Sequence, residues 1–139
     1  MPVIMKTASW YSKMPDDHVR VGISRSSPRN MMAGYRIFKA LAPGAWFNST
    51  SPEDYDQLYR DEVLAKLDPQ VTLDKLREMA RPYIPVLLCF ERPGGVEWCH
   101  RALVARWFEE TLGIHVPEFG FEAEPTERHP LLPAFLKPA

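Results

Sequence analysis

The stretch that decides the fold is Tyr83–Phe90, which reads YIPVLLCF. Its apolar side chains form a nearly continuous run, as is typical of a parallel strand that is covered on both faces of its sheet. The tight loop Pro93-Gly94-Gly95 follows, and the apolar residues beyond it predict a helix over Glu97–Leu112. A buried strand that leads through a short glycine loop into a helix indicates an α/β layer protein.

The segments on either side of this unit predict further strands and helices. Their bounds come from hydrophobic alternation and from helix start and stop signals. The predicted strands are Val3–Trp10, Val19–Ser24, Tyr83–Phe90 and Ile114–Phe121, with a short helix or strand at Tyr35–Leu41. Two more helices are predicted, one from Ser51-Pro52 to Asp68-Pro69 and one from Thr72 to Arg81. We therefore predict a single compact α/β domain in which a mostly parallel sheet is flanked by helices.

The last part of the chain is rich in proline. Of the 14 prolines, five follow residue 116. Because proline fits neither the interior of a helix nor a central strand, residues 124–139 are predicted to form an extended tail. Its apolar Leu131 and Leu132 would pack on the protein's own domain or on a partner. The α/β domain itself is predicted to comprise residues 1–123.

Length and composition exclude several classes of protein. The chain has 139 residues, of which 45% are hydrophobic, and this suits one globular domain. With 17 Lys and Arg against 18 Asp and Glu, the net charge of −1 excludes a wholly basic, histone-like protein. No apolar run reaches the roughly 20 residues of a membrane span, and residues 1–10 show no secretory signal. We therefore expect a cytoplasmic protein without a membrane partner, in which two cysteines make no disulfide framework.

The charges are distributed unevenly along the chain. Residues 1–40 contain seven Lys and Arg but only two Asp, so this third is positive and the remainder is negative. A basic surface of this kind attracts anions. The alternative interpretation is that most of these arginines pair with the acidic helices that follow.

Polar side chains follow two predicted strands and open the last predicted helix. Ser24 and Arg25 end the second strand, Glu91 follows the buried strand, and Cys99-His100-Arg101 stands in the first turn of the helix. In open α/β sheets, ligands bind beyond the carboxyl ends of the strands. The three segments are therefore predicted to meet in one crevice.

The residue types in this crevice favour an anionic ligand. The first turn of a helix offers free N–H groups and a partial positive charge, which favour a bound anion and the thiolate form of a cysteine. A thiolate serves as a nucleophile, whereas a carboxylate or an imidazole moves protons. The predicted ligand-binding residues are Arg25, Arg101, Ser24 and Arg29. The candidate catalytic residues are Cys99, Glu91 and His100.

Each candidate also has a simpler structural interpretation. Cys89 lies inside the apolar strand and is predicted to be an inert core thiol, and Cys99 alternatively packs in the core. Glu91 alternatively pairs with a neighbouring arginine. A disulfide between the two cysteines is not expected in a reducing compartment. Because a structural zinc site takes four ligands and the cysteines with His100 supply three, no metal and no cofactor are predicted.

Several motifs between Val19 and Leu112 together resemble one known family. The strongest is Leu87–Glu91, followed after a loop by Cys99-His100-Arg101. The weaker ones are Ile23-Ser24-Arg25, Pro28-Arg29, Gly34-Tyr35-Arg36, Leu41-Ala42-Pro43 and Tyr59 with Glu62-Val63-Leu64. In this combination the chain resembles the domain of unknown function 488 (DUF488) family, and Trp46-Phe47 is similar to its YeaO-like branch. The longer loop Arg92–Val96 departs from the family pattern.

The resemblance implies a compact α/β domain with a polar site. It supplies no substrate, since the family is named for the lack of one. The site residues that it implies are Arg25, Cys89, Glu91, Cys99, His100 and Arg101.

The sequence leaves three functions open. The favoured one is a small enzyme or binding protein for an anionic ligand, such as a phosphate compound or a nucleotide. The second is a nucleic-acid-associated module that contacts phosphates through Arg20, Arg25, Arg29 and Arg36 and stacks a base on Trp46 or Tyr35. The third is a non-enzymatic interaction domain whose tail docks on a partner or on a second copy of the chain.

Overall fold

Four parallel strands form the sheet in the computed structural model, which describes residues 3–95 and 97–138. The ends of the predicted domain and tail (residues 1, 2 and 139) and Val96 of the predicted loop lie outside the described residues. The strands are β1 (Lys6–Ser9), β2 (His18–Gly22), β3 (Arg36–Ile37) and β4 (Ile84–Cys89), in the order β1-β4-β2-β3. The three neighbouring pairs are all parallel. The predicted α/β class with a parallel sheet is confirmed.

The sheet separates two apolar clusters, and β4 contributes to both. On one face, Val21 and Leu87 pack with residues from all three α-helices in the main core. On the other face, Val86 and Leu88 pack with Trp10 beneath partly buried loop residues. The strand is therefore covered on both faces, as its continuous apolar run predicts.

Three α-helices cover the main core, and two of them begin at a side-chain cap. They are α1 (Pro52–Glu62), α2 (Pro69–Ala80) and α3 (His100–Leu112). The Ser51 hydroxyl accepts the N–H of Asp54 at 3.1 Å, and the Asp68 carboxylate accepts the N–H of Val71 at 2.9 Å. Within residues 3–95 and 97–138, no helix combines the length and the apolar character that a bilayer crossing requires.

The predicted end of the first helix is wrong. Helix α1 already ends at Glu62, and a short 3₁₀ turn at Leu64–Lys66 follows it. The pair Asp68-Pro69 starts α2 instead of ending α1. An aspartate before a proline suits a helix start, because the carboxylate caps free N–H groups and the proline lacks an N–H that would stay unpaired in the first turn.

The predicted strand Ile114–Phe121 is also wrong. This segment makes a single isolated parallel bridge, between Thr7 and Glu118, along the free edge of β1. The N–H of Thr7 donates to the carbonyl of Pro117 at 2.9 Å, and the N–H of Phe119 donates to the carbonyl of Thr7 at 2.7 Å. Pairing stops there because Pro117 has no N–H to donate and Gly120, with a φ of 88°, turns the chain away.

The extended proline-rich tail is not confirmed. Residues 124–138 fold back on the domain and include two 3₁₀ turns, Thr126–Arg128 and Ala134–Leu136. Leu131 and Leu132 are buried in a small cluster with Cys89, Cys99 and Ala102. The C-terminal segment therefore packs against the end of β4 and the start of α3, and its Leu136 also contacts the main core.

Gly22 at the end of β2 lies under the ring of Trp10. A Cβ atom at position 22 would lie 2.3 Å from Cζ2 of Trp10, which is too close for two carbon atoms. Gly22→Ala is therefore expected to lower the free energy of unfolding by about 1–3 kcal/mol in urea denaturation. The matched control is Gly95→Ala, whose Cβ would find its nearest neighbour at 3.7 Å and should change stability little. A Gly22→Ala protein as stable as the control would show that the contact is loose.

Candidate functional site

A pocket of about 460 Å³ lies at the carboxyl ends of β2 and β4, beside the start of α3. Residues 24–26, 89–91 and 97–100 line it, together with Tyr55 of α1 and residues of the loop 43–50. These are the three segments that the sequence analysis places at one crevice. Five of the seven predicted site residues line the pocket: Ser24, Arg25, Glu91, Cys99 and His100.

Cys89 and Cys99 are joined by a disulfide in the wall of the pocket. The expectations that Cys89 is an inert thiol and that no disulfide forms are therefore wrong for the protein in this state. Cys89 ends β4 and Cys99 immediately precedes α3, so the turn between these elements brings the two sulfurs together. A disulfide sulfur carries no proton and is not a nucleophile, so a catalytic role for Cys99 requires the reduced protein.

His100 is buried beside the disulfide and is neutral at pH 7. Its Nε2 donates to the carbonyl oxygen of Ile23 at 2.8 Å, so its Nδ1 is the unprotonated nitrogen. Nδ1 lies 3.7 Å from Sγ of Cys99. Burial lowers the pKa of His100 to about 4, although the hydrogen bond to Ile23 opposes this shift. His100 therefore offers a proton acceptor rather than a positive charge.

The prediction that Arg101 binds a ligand is not supported by its position. Its side chain is fully buried and does not line the pocket. Nε and Nη2 donate to the two carboxylate oxygens of Glu118 at 2.9 and 2.7 Å. Nη2 also donates to the carbonyl of Glu91 at 2.8 Å, and Nη1 to Sγ of Cys89 at 3.4 Å. The guanidinium therefore links Glu118, which lies beside β1, to Cys89 and Glu91 at the end of β4.

Among the described residues that line the pocket, Arg25 is the one arginine or lysine. It is exposed, its Nη1 donates to the carbonyl of Pro43 at 3.0 Å, and its guanidinium lies 5.4 Å from the centre of the Phe47 ring. A guanidinium has five N–H donors, so this hydrogen bond leaves others for a ligand. Ser24 differs, because its hydroxyl already donates to the carbonyl of Ser26 at 2.6 Å and accepts from Nε1 of Trp10 at 3.0 Å. Ser24 therefore fixes the loop that carries Arg25.

Acidic and aromatic residues also line the pocket. Glu91 and Glu97 both line it. Tyr55 packs edge-on against Trp98, with ring centres 4.6 Å apart, and both rings line the pocket. Burial, with a smaller contribution from the charge of Glu91, raises the pKa of Tyr55, so its hydroxyl keeps its proton.

The start of α3 adds a partial positive charge to the pocket. The prediction begins this helix at Glu97, whereas the structure begins it at His100 with Cys99 as the N-terminal cap residue. The Cys99 side chain makes no capping hydrogen bond, and the first turn contains no acidic residue. The N–H of Ala102 donates to the carbonyl of Cys99 at 3.1 Å, but no acidic residue in the first turn offsets the partial positive charge of the helix start, which favours an anion in the pocket.

Arg29 and the other basic residues of the first third lie elsewhere. Arg29 is exposed and does not line the pocket. Arg20 is half-buried and donates from Nη1 to the carbonyl of Trp10 at 2.8 Å. Tyr35, a candidate for stacking on a base, packs edge-on against Trp10 at 5.3 Å. Arg25 is thus the one member of the predicted phosphate-contacting set that reaches the described pocket wall.

Sequence reasoning did not find the buried network behind the pocket. Glu118, which holds Arg101, also accepts the hydroxyl of Thr7 at 2.7 Å. That hydroxyl in turn accepts the N–H of His129 Nε2 at 2.7 Å. In the sequence, Glu118 lies 111 residues after Thr7 and His129 lies 122 residues after it. No periodicity or motif links such distant positions, so only the folded chain reveals them.

Comparison with known proteins assigns the chain a family but no reaction. The family model described as "Domain of unknown function DUF488" matches residues 7–108. The matched range contains β2, β3 and β4, all of β1 but Lys6, all of α1 and α2, most of α3 and every residue that lines the pocket. Neither the curated proteins nor the solved structures that were compared with the chain give a match.

Proposed function

This chain belongs to the DUF488 family, and we propose that it binds an anionic small molecule of the phosphate or nucleotide type in its pocket. The observation that carries the proposal is the meeting of the exposed guanidinium of Arg25 with the uncapped start of α3 in one pocket. Both features attract an anion, and backbone N–H groups at a helix start are common phosphate ligands.

The rest of the lining favours a nucleotide over a bare phosphate ion. A volume of about 460 Å³ is much larger than a phosphate and falls in the range of small-molecule sites. The rings of Phe47, Tyr55 and Trp98 offer apolar surface for a planar group. Glu91 and Glu97 supply acceptors for hydroxyl or amino groups, which a nucleoside carries and a phosphate ion lacks.

The catalytic roles of the pocket residues stay predictions. Glu91 and His100 are proposed proton acceptors for a bound ligand, and Cys99 is a proposed nucleophile only in the reduced protein without a bound metal ion. The cytoplasmic location and the YeaO-like branch are likewise predictions from the sequence.

The proposal is tested by isothermal titration calorimetry at low salt with inorganic phosphate and with the four common nucleoside monophosphates. At least one nucleotide is expected to bind, and more tightly than phosphate. Arg25→Gln is expected to weaken that binding about 10- to 100-fold, because it removes hydrogen bonds from a charged group. The matched control is Arg36→Gln, since Arg36 is an exposed arginine outside the pocket lining.

Two results would contradict the proposal. One is the absence of heat of binding with every ligand. The other is an equal loss of affinity in Arg25→Gln and Arg36→Gln, which would point to a diffuse basic surface of the kind that nucleic acids recognise.

A further inference from the structure

Three potential metal ligands meet in the pocket wall. The sulfurs of Cys89 and Cys99 and a ring nitrogen of His100 all lie within 4.8 Å of one another. All three residues are buried, and all three line the pocket. Cysteine thiolates and a neutral imidazole are ligands that Zn²⁺ binds well in proteins.

The ring of His100 is oriented as in a metal site. Its Nε2–H donates to the carbonyl of Ile23 at 2.8 Å, which leaves the unprotonated Nδ1 on the side of Cys99 Sγ, 3.7 Å away. Histidines that bind metals usually donate their second N–H to a carbonyl or carboxylate, which fixes the tautomer and the ring orientation. His100 therefore already makes the hydrogen bond through its second ring nitrogen that metal-binding histidines usually make.

Arg101 provides a comparable contact for a cysteine. Its Nη1 donates to Sγ of Cys89 at 3.4 Å, while Glu118 holds the guanidinium in place. A hydrogen bond of this kind orients the side chain of a metal ligand, as the carbonyl of Ile23 does for His100. The Cα atoms of Cys89 and Cys99 are 7.2 Å apart, so rotation about the Cα–Cβ bonds can separate the sulfurs once their bond is broken.

We propose that reduction of the Cys89–Cys99 disulfide converts this cluster into a three-ligand Zn²⁺ site whose fourth coordination position faces the pocket. In the reduction, two thiol groups of a reductant supply two electrons and two protons and become a disulfide, while Cys89 and Cys99 become thiols. The two thiols release their protons when they bind Zn²⁺, which keeps its charge throughout. Three protein ligands and one open position are typical of catalytic zinc, whereas structural zinc takes four.

The test uses Co²⁺, which reports thiolate ligation by absorption. The full chain is reduced with a phosphine, freed of reductant without oxygen, and titrated with Co²⁺. One equivalent is expected to bind with a thiolate-to-cobalt charge-transfer band, and Zn²⁺ should displace it. The oxidised protein should show no such band, and this comparison needs no variant. A reduced protein without the band, or an oxidised protein that binds equally well, would overturn the proposal.

Variants identify the ligands. Cys89→Ser and Cys99→Ser are each expected to lose most of the charge-transfer band, and His100→Ala to lose tight one-to-one binding, with circular dichroism used to select folded variants. His115→Ala is the matched control, because His115 does not line the pocket. A folded His100→Ala protein that binds Co²⁺ like the wild type would contradict the three-ligand site. Nucleotide binding by the oxidised protein is measured separately, so the outcomes of the two proposals are distinguishable.

Discussion

Arg101→Met is expected to lower the free energy of unfolding by about 3–5 kcal/mol, because it leaves a carboxylate buried without its cation. The Arg101 and Glu118 side chains are 0% and 1% exposed and share two hydrogen bonds. Removing one partner of such a pair strands the charge of the other in a medium that solvates it poorly. The same substitution also frees the carbonyl of Glu91, which borders the pocket.

Urea denaturation of four proteins isolates this effect. The double variant Arg101→Met, Glu118→Met is expected to recover much of the lost stability, since no unpaired charge remains. Arg106→Met is the matched control, because Arg106 lies on the same helix and pairs with Glu110 at 3.3 Å at the surface. Surface pairs contribute about 0–1 kcal/mol. If Arg101→Met costs no more than Arg106→Met, the buried pair does not stabilise the fold as described.

Acid is expected to destabilise the protein through His129, by about 2–3 kcal/mol between pH 6.5 and pH 4.5. Burial, and next the charge of Arg101, lower the pKa of His129 to about 3. Below its usual pKa of about 6.5, the unfolded chain takes up a proton at position 129, whereas the folded protein does not until near pH 3. Each step of acidification in this window therefore favours the unfolded state, and the stability is fully present above pH 6.5.

The contacts of His129 agree with a neutral ring despite a nearby carboxylate. Nε2 lies 3.5 Å from Glu118, a distance that would suit an ion pair. However, Nδ1 accepts the N–H of Leu131 at 3.1 Å, so a proton on Nδ1 would face another proton. Nε2 donates to the Thr7 hydroxyl, which itself donates to Glu118. Both ring nitrogens are thus satisfied without a charge.

Urea midpoints measured from pH 7.5 to pH 4.5 test this prediction. His129→Asn keeps an acceptor for the N–H of Leu131 and should lose stability at pH 7.5 but depend less on pH. His115→Asn removes a charge that makes a smaller contribution to the low pKa of His129, so this control should retain most of the pH dependence of the wild type. Because His100 remains in every protein, the difference between the curves reports His129. Parallel curves for the wild type and His129→Asn would contradict the prediction, because they would show that His129 takes up its proton at the same pH in the folded and the unfolded protein.

Local sequence signals predicted the parallel sheet and the three α-helices but not all of their bounds. The apolar run of β4 predicts a strand covered on both faces, and clusters of buried residues on both sides confirm it. The pair Asp68-Pro69 did not show whether a helix ends or begins there, because an acidic residue followed by a proline is found both after the end of a helix and at the start of one. The strand predicted at Ile114–Phe121 failed because hydrophobicity does not show whether a neighbouring strand is in reach.

The candidate site was predictable in location but not in chemistry. The rule that ligands bind at the carboxyl ends of parallel strands brings the segments of Arg25, Glu91 and Cys99 together, as the pocket does. The direction in which Arg101 points depends on Glu118, a distant residue on an irregular segment without a motif. A disulfide between Cys89 and Cys99 was geometrically possible but not expected, because a reducing compartment was assumed and cysteine spacing does not reveal the redox state.

An NMR titration tests most directly whether the pocket is the ligand site. The ¹⁵N-labelled protein is titrated with the nucleoside monophosphate that binds most tightly in calorimetry. We predict amide shifts that cluster in residues 24–26, 89–91 and 97–100, and the loss of these shifts in Arg25→Gln. Shifts centred instead on the exposed Arg29 and Arg36, with the pocket amides unmoved, would contradict it.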